Sequence, residues 1–240
     1  MDTIKVESGK TQMIAHRGVS GIECENTNAA FVAAGNRSYA GIETDVHVTA
    51  DGRYVIFHDD NTQRVSGVDA VVEKSTYKEL AAIRLYDKEP GTTRTDLRIP
   101  ELEEYIRICK RYEKIAVLEL KNAMTPYHVM QIVEVVKKAG YLEQTIFISF
   151  AWDNLACIKE NLPEQRVQFL TSEECSEELI ERLKQWKMDL DIYYLRANKE
   201  LIEKLHANGI LVNCWTVDTK ESAEELISWG VDYLTSNILE

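Results

Sequence analysis

Gly41-Ile42-Glu43-Thr44-Asp45-Val46-His47-Val48 changes chemical character from one residue to the next. Side chains of a β-strand point to alternate faces. Glu43, Asp45 and His47 therefore share one face, and Ile42, Thr44, Val46 and Val48 share the other. In a barrel the apolar set packs on surrounding helices and the acidic set points inward. Working outward, further short, β-branched runs read as strands at Gln12–His16, Ile115–Lys121, Ile146–Phe150, Val167–Thr171, Asp191–Leu195, Leu211–Val217 and Tyr233–Ser236. Helical apolar spacing fills the gaps at Thr27–Asn36, Glu101–Tyr112, Tyr127–Ala139, Trp152–Asn161, Cys175–Lys187, Lys199–Asn208 and Lys220–Trp229. Thr125-Pro126 opens one helix as N-cap and first residue, and Gly140, Gly209 and Gly230 follow helix ends.

Eight strands strung on helices, with no linker rich in Pro, Gly or Ser, predict an α/β fold of the (β/α)8 barrel type. The whole chain, 1–240, reads as one domain. A doubly wound open sheet would usually carry a Gly-rich turn after its first strand, and none is present. Two irregularities are expected. Tyr54–Phe57 reads as an extra strand behind the turn Ala50-Asp51-Gly52, and residues 59–100 form a small insertion on the face where such barrels keep their chemistry. The last helix is truncated, because the sequence stops just after the eighth strand, and residues 1–11 are candidates to cover that edge.

The 240 residues carry 28 basic and 40 acidic side chains, a net charge of −12, which counts against binding a phosphate backbone and so against nucleic acid. Five scattered cysteines, Cys24, Cys109, Cys157, Cys175 and Cys214, with no C-x-x-C pair, fit neither a disulfide framework nor a zinc site. The first ten residues lack the apolar core of a signal peptide. The longest apolar run, Ala29 to Ala34, is far too short for a membrane span. The sequence thus reads as a reduced, cytoplasmic, soluble protein.

Unpaired carboxylates inside a barrel are costly, so Glu43 and Asp45 require a divalent cation or basic partners. Strand Ile115–Lys121 adds Glu119 and Lys121 on one face. Three carboxylates at strand ends make an all-oxygen site suited to Mg²⁺ or Ca²⁺ rather than zinc. The alternative is a buried ion network in which Arg17 and Lys121 neutralise the acids. Strand one ends in His16 and the extra strand in His58, both at the catalytic rim, and imidazoles beside an electropositive centre suit general acid and base roles. His47 faces the same region without a motif role, while His128 and His206 fall in helical patterns as structural or surface residues.

His16-Arg17-Gly18, Glu25-Asn26-Thr27, Glu43-Thr44-Asp45-Val46, Asp51-Gly52 and His58-Asp59 resemble glycerophosphodiester phosphodiesterases. The likeness continues through Ile99-Pro100-Glu101-Leu102-Glu103-Glu104, Leu118-Glu119-Leu120-Lys121, Trp215-Thr216-Val217 and Gly230-Val231-Asp232-Tyr233-Leu234-Thr235-Ser236-Asn237, in order over almost the whole chain. The resemblance implies a TIM barrel that hydrolyses glycerophosphodiesters to glycerol 3-phosphate and an alcohol. It implies His16 and His58 as the acid/base pair and Glu43, Asp45 and Glu119 as ligands of one divalent cation. It further implies Arg17 and Lys121 as phosphate-binding cations and Trp215 as an aromatic against the glycerol. One departure is Cys24, where the family usually has proline.

Two other functions compete with this one. A lipid-active phosphodiesterase on the same barrel, of lysophospholipase D or sphingomyelinase D-like type, is disfavoured by the acidic charge and the absence of a basic amphipathic helix. A non-catalytic binding module should lack a histidine or carboxylate of the set, and none is missing. The expected partner is a small-molecule glycerophosphodiester, without nucleic acid or stable membrane association. Head group, Mg²⁺ versus Ca²⁺, the order of proton transfers and quaternary structure, homo-oligomers included, stay open.

Overall fold

The computed structural model describes residues 2–88 and 94–240. Its strands are β1 (Gln12–Ala15), β2 (Gly41–Val48), β3 (Tyr54–Ile56), β4 (Ile115–Leu120), β5 (Thr145–Ser149), β6 (Val167–Thr171), β7 (Asp189–Tyr193), β8 (Val212–Trp215) and β9 (Tyr233–Ser236). Eight of them are parallel neighbours in the order β1, β9, β8, β7, β6, β5, β4, β2, and β1 also pairs with β2, so the sheet closes into the expected barrel. The ninth, β3, is the extra strand and lies antiparallel on β2.

The α-helices are α1 (Asn28–Gly35), α2 (Gln63–Ser66), α3 (Tyr77–Ala81), α4 (Leu102–Arg111), α5 (Pro126–Lys138), α6 (Trp152–Asn161), α7 (Glu177–Trp186), α8 (Lys199–Ala207) and α9 (Lys220–Trp229). Most begin where a short polar side chain satisfies a free N–H. Thr27, Thr125, Ser176, Asn198 and Thr219 each accept from the backbone three residues on, and Pro126 takes the first helical position. The helices cover the outward residues of the strands. Ile42, Val46, Leu118 and Leu120 are buried among helix residues such as Phe31, Leu102, Tyr105 and Ile106. Burying each such side chain contributes roughly 1.5–3 kcal/mol. Tyr105 also ties its helix to the sheet, its hydroxyl donating to the Ile42 carbonyl at 2.7 Å.

The insertion has a small core of its own beside β3, in which Val72, Leu80, Leu85 and Leu97 pack with Val55, Phe57 and Cys24. Part of it, residues 89–93, lies outside the described residues. Cys24 thus fills an apolar position where proline was expected. Its thiol is pushed up to about 11 by burial and then by Glu25, and all five cysteines are free.

The strand expected at Asp191–Leu195 is displaced. β7 occupies Asp189–Tyr193, and Tyr194–Arg196 form a 3₁₀ turn. Leu190 and Ile192 supply its outward face, so the aspartates are the inward set. No helix follows β9 among the described residues. Residues 238–240 instead run beside the N-terminal segment, where Ile4 N–H donates to Ile238 O at 3.0 Å and Glu240 N–H donates to Ile4 O at 2.9 Å. Leu239 is buried by this pairing.

Candidate active site

Parallel register assembles the site at the C-terminal ends of the strands. Asp45 on β2 is opposite Glu119 on β4, and Glu43 is one inward position earlier. Ala15 on β1 is flanked by Ile42 and Ser236, so the next residue, His16, falls between Glu43 and Asn237. The hairpin of β2 and β3 folds the chain back until Phe57 N–H donates to Asp45 O at 3.0 Å, which delivers His58 to the same rim. Gly18 permits the tight exit from β1. Its φ is +74°, and a Cβ there would lie 2.6 Å from Ala30 Cβ.

Glu43, Asp45 and Glu119 are all buried and offer carboxylate oxygens within 4.8 Å of one another. Lys121 Nζ lies 2.9 Å from Glu119 and 3.6 Å from Asp45. Arg17 lies 2.9 Å from Glu25 and, through Nε, 3.6 Å from Asp45. Burial alone would raise the Asp45 carboxyl, but Arg17 and Lys121 hold it well below the usual range. Burial, and then the charge on Asp45, pushes both Glu43 and Glu119 upward.

The ion-network alternative is therefore incomplete. Among the described residues no Lys or Arg side chain reaches Glu43, which meets only the Arg17 backbone N–H at 2.9 Å and His16 Nε2 at 3.9 Å. Hard oxygen donors with too little positive charge among them fit a bound divalent cation.

Both histidines are held through Nδ1. Asn237 Nδ2 donates to Asp218 Oδ2 at 2.6 Å, which turns Oδ1 toward His16 Nδ1 at 2.7 Å. His58 Nδ1 is 2.6 Å from Asp59, whose other oxygen accepts from Arg64 Nε at 2.6 Å. An amide oxygen and a carboxylate can only accept, so each Nδ1 carries a proton and Nε2 is the nitrogen left to gain or lose one. Burial, and then the charge of Arg17, lowers His16 to about 4. Burial also lowers His58, against the opposing pull of Asp45.

His16, Arg17, Glu43, His58, Glu119 and Trp215 line one cavity, and Asp45 and Lys121 join it through the ion pairs. All eight residues expected at a site are thus together. Trp215 stands in an aromatic group with Phe150 and Tyr193, ring centroids 5.7 and 5.6 Å away. His47 is not in the lining. It is fully buried against Glu73 and the His58 carbonyl, and so supports the backbone of His58. His128 bonds Tyr54 and His206 bonds Asp232, both outside the cavity.

Sequence reading missed Asp59, Arg64 and Asn237 as holders of the histidines, and Asn26, whose amide donates to Asp45 at 2.8 Å. It also missed Asp191, a cavity-lining carboxyl whose Oδ1 has no hydrogen-bond partner among the described residues. Burial, and then the charge of Glu119, pushes that carboxyl well above the usual range. The alternation Asp189-Leu190-Asp191-Ile192 was the signal that could have exposed it.

A sequence model described as the Glycerophosphoryl diester phosphodiesterase family matches residues 16–239. A glycerophosphodiester phosphodiesterase of Caldanaerobacter subterraneus is 31% identical over 229 residues, covering 93% of this chain and 92% of the relative. One from Bacillus altitudinis is 26% identical, with 92% of each covered. Among solved structures, an Oleispira antarctica phosphodiesterase in complex with the product sn-glycerol-3-phosphate superposes with a TM-score of 0.88 at 29% identity, covering 98% of this chain and 96% of that one. The Thermotoga maritima glycerophosphodiester phosphodiesterase gives 0.77 at 26%, covering 95% and 94%.

Proposed function

The chain belongs to the glycerophosphoryl diester phosphodiesterase family, and from that membership we propose that it cleaves glycerophosphodiesters to glycerol 3-phosphate and an alcohol by paired histidine catalysis at a cation-dependent site. The observation that carries the reading is the convergence of Glu43, Asp45 and Glu119 between His16 and Lys121, with no Lys or Arg side chain reaching Glu43 among the described residues. These three carboxylates would hold one Mg²⁺ or Ca²⁺, whose charge, when bound, offsets the negative charge that grows on the non-bridging phosphate oxygens.

The remaining work falls to the chain's own groups. Arg17, held between Glu25 and Asp45, brings a fixed positive charge to the cavity wall, and Lys121 adds a second. One histidine takes a proton at Nε2 from the attacking oxygen, and the other, entering as the imidazolium with a proton on each nitrogen, gives its Nε2 proton to the departing alkoxide. His16, the more strongly depressed of the two, suits the accepting role. Asn237 and Asp59 keep the rings oriented by holding the Nδ1 protons. Trp215 presents an apolar face to the glycerol carbons.

Release of glycerol 3-phosphate from a panel of glycerophosphodiesters tests the reading, read by a coupled glycerol-3-phosphate dehydrogenase assay. Activity lost in EDTA and regained with Mg²⁺ or Ca²⁺ is the expected result. Release unaffected by chelation would remove the cation from the proposal. No release from any diester would remove the reaction.

A further inference from the structure

β7 presents Asp191 to the barrel interior at the height of the cavity, between Leu170 on β6 and Asn213 on β8. The residue is 2% exposed. Among the described residues its Oδ1 has no donor, and that oxygen is closed to solvent, although a buried carboxyl is costly to leave unmatched; the carboxyl itself is part of the cavity lining. The neighbouring polar side chains do not supply a partner. Asn213 Nδ2 donates to Gln168 Oε1 and Thr235 Oγ1 donates to Asn213 Oδ1, so this belt is bonded within itself. Asp191 is also apart from the group of three carboxylates that could share an ion.

A second observation shows what the carboxyl would meet in the cavity. Trp215 Nε1–H donates to the backbone carbonyl of Asp191 at 3.3 Å, so the indole and the carboxyl belong to one fixed unit on the cavity wall. Opposite them in the same lining are His16, Arg17, Glu43, His58 and Glu119. A ligand whose phosphate reaches those groups and whose carbons meet the indole would bring its hydroxyls toward the carboxyl.

We propose that Asp191 is a specificity-determining residue that accepts a hydrogen bond from a hydroxyl of the substrate's glycerol, so that a polyol phosphate is selected over a phosphate ester of similar size without hydroxyls. This rests on the proposed function, because it uses the same cavity and takes the phosphate to bind opposite β7. A site built around a buried polar group rejects an analogue that leaves the group unpaired.

The test compares sn-glycerol 3-phosphate with ethyl phosphate, by calorimetric titration of the full chain in saturating Mg²⁺ or Ca²⁺. The wild type should bind the glycerol ester about 10- to 10²-fold more tightly, as one hydrogen bond to a charged or strongly polar group allows. Asp191→Leu should bring that ratio close to one. Asp191→Asn, which keeps an acceptor oxygen in the same place and guards against misfolding of the leucine variant, should retain part of it. A ratio unchanged in both variants would overturn the proposal. So would an equal loss for both esters, or a loss of cation affinity, since either would place Asp191 with the phosphate or the ion. If the wild type binds neither ester, the proposed function fails as well. If it binds both equally, only the role of Asp191 fails.

Discussion

The two histidines illustrate how position in a barrel changes a side chain's chemistry. In water an imidazole titrates near 6.5, but burial and then Arg17 lower His16 to about 4. A neutral imidazole is what the proposed proton-accepting role needs. His16→Ala and His58→Ala should each lower turnover by about 10²–10⁴-fold while leaving cation affinity in place. A wild-type rate in either would remove that histidine from the mechanism. The acid limb of kcat/KM in the native protein should also fall below 6.5 rather than at it. The residues themselves were legible in the sequence, because His16 ends a strand and Glu43 and Asp45 alternate along one. Their holders were not. Asn237 is 221 residues from His16, and Arg64 reaches Asp59 from a short helix in the insertion. No local spacing encodes such contacts.

At the scale of the element, β7 is where pattern reading went astray. Its inward face carries Asp189 and Asp191, and two acids in five residues resemble a turn, whereas Tyr193-Tyr194-Leu195 resembles a strand. Strand pairing overrode that preference, because Leu190 and Ile192 are the residues that pack outward. The seven longer helices were legible to within two residues at each end because their caps and their apolar spacing agree. Asp189 gives this strand a measurable pH signature. Burial raises its carboxyl to about 6, although the Leu211 N–H it accepts at 2.9 Å opposes the shift. The native state thus keeps a proton that the unfolded chain releases near 3.9. The associated stability is complete below that value and is lost as pH rises through about 6. Asp189→Asn, which preserves the acceptor, should therefore gain on the wild type between pH 4 and pH 8, by on the order of 1–2 kcal/mol. Chemical denaturation at both pH values would read the difference, and a gap that stays constant would show that Asp189 is not protonated in the fold.

The whole molecule combines a closed parallel barrel, an insertion with its own core above β2 and β3, and a net charge of −12 in which the site gathers several of the acids. Among the described residues no helix is long and apolar enough to cross a membrane. Because an ion held by Glu43, Asp45 and Glu119 binds only the assembled barrel, it should stabilise the fold by linkage, about 2.7 kcal/mol at a hundred times its Kd. Thermal unfolding with EDTA and then with Mg²⁺ or Ca²⁺ should show a rise of several degrees, blunted in Glu43→Gln. An unchanged midpoint would mean that Arg17 and Lys121 neutralise the cluster unaided. The hydrogen bond between His16 and Asn237 has a further consequence for biosynthesis. One partner leaves the ribosome 221 residues before the other, and β1 meets β9 only after every intervening strand has been made. A nascent chain can bury much of its apolar surface through the sequential pairs while His16 is still unoriented, so the proposed chemistry would become possible only late, with the docking of β9 on β1.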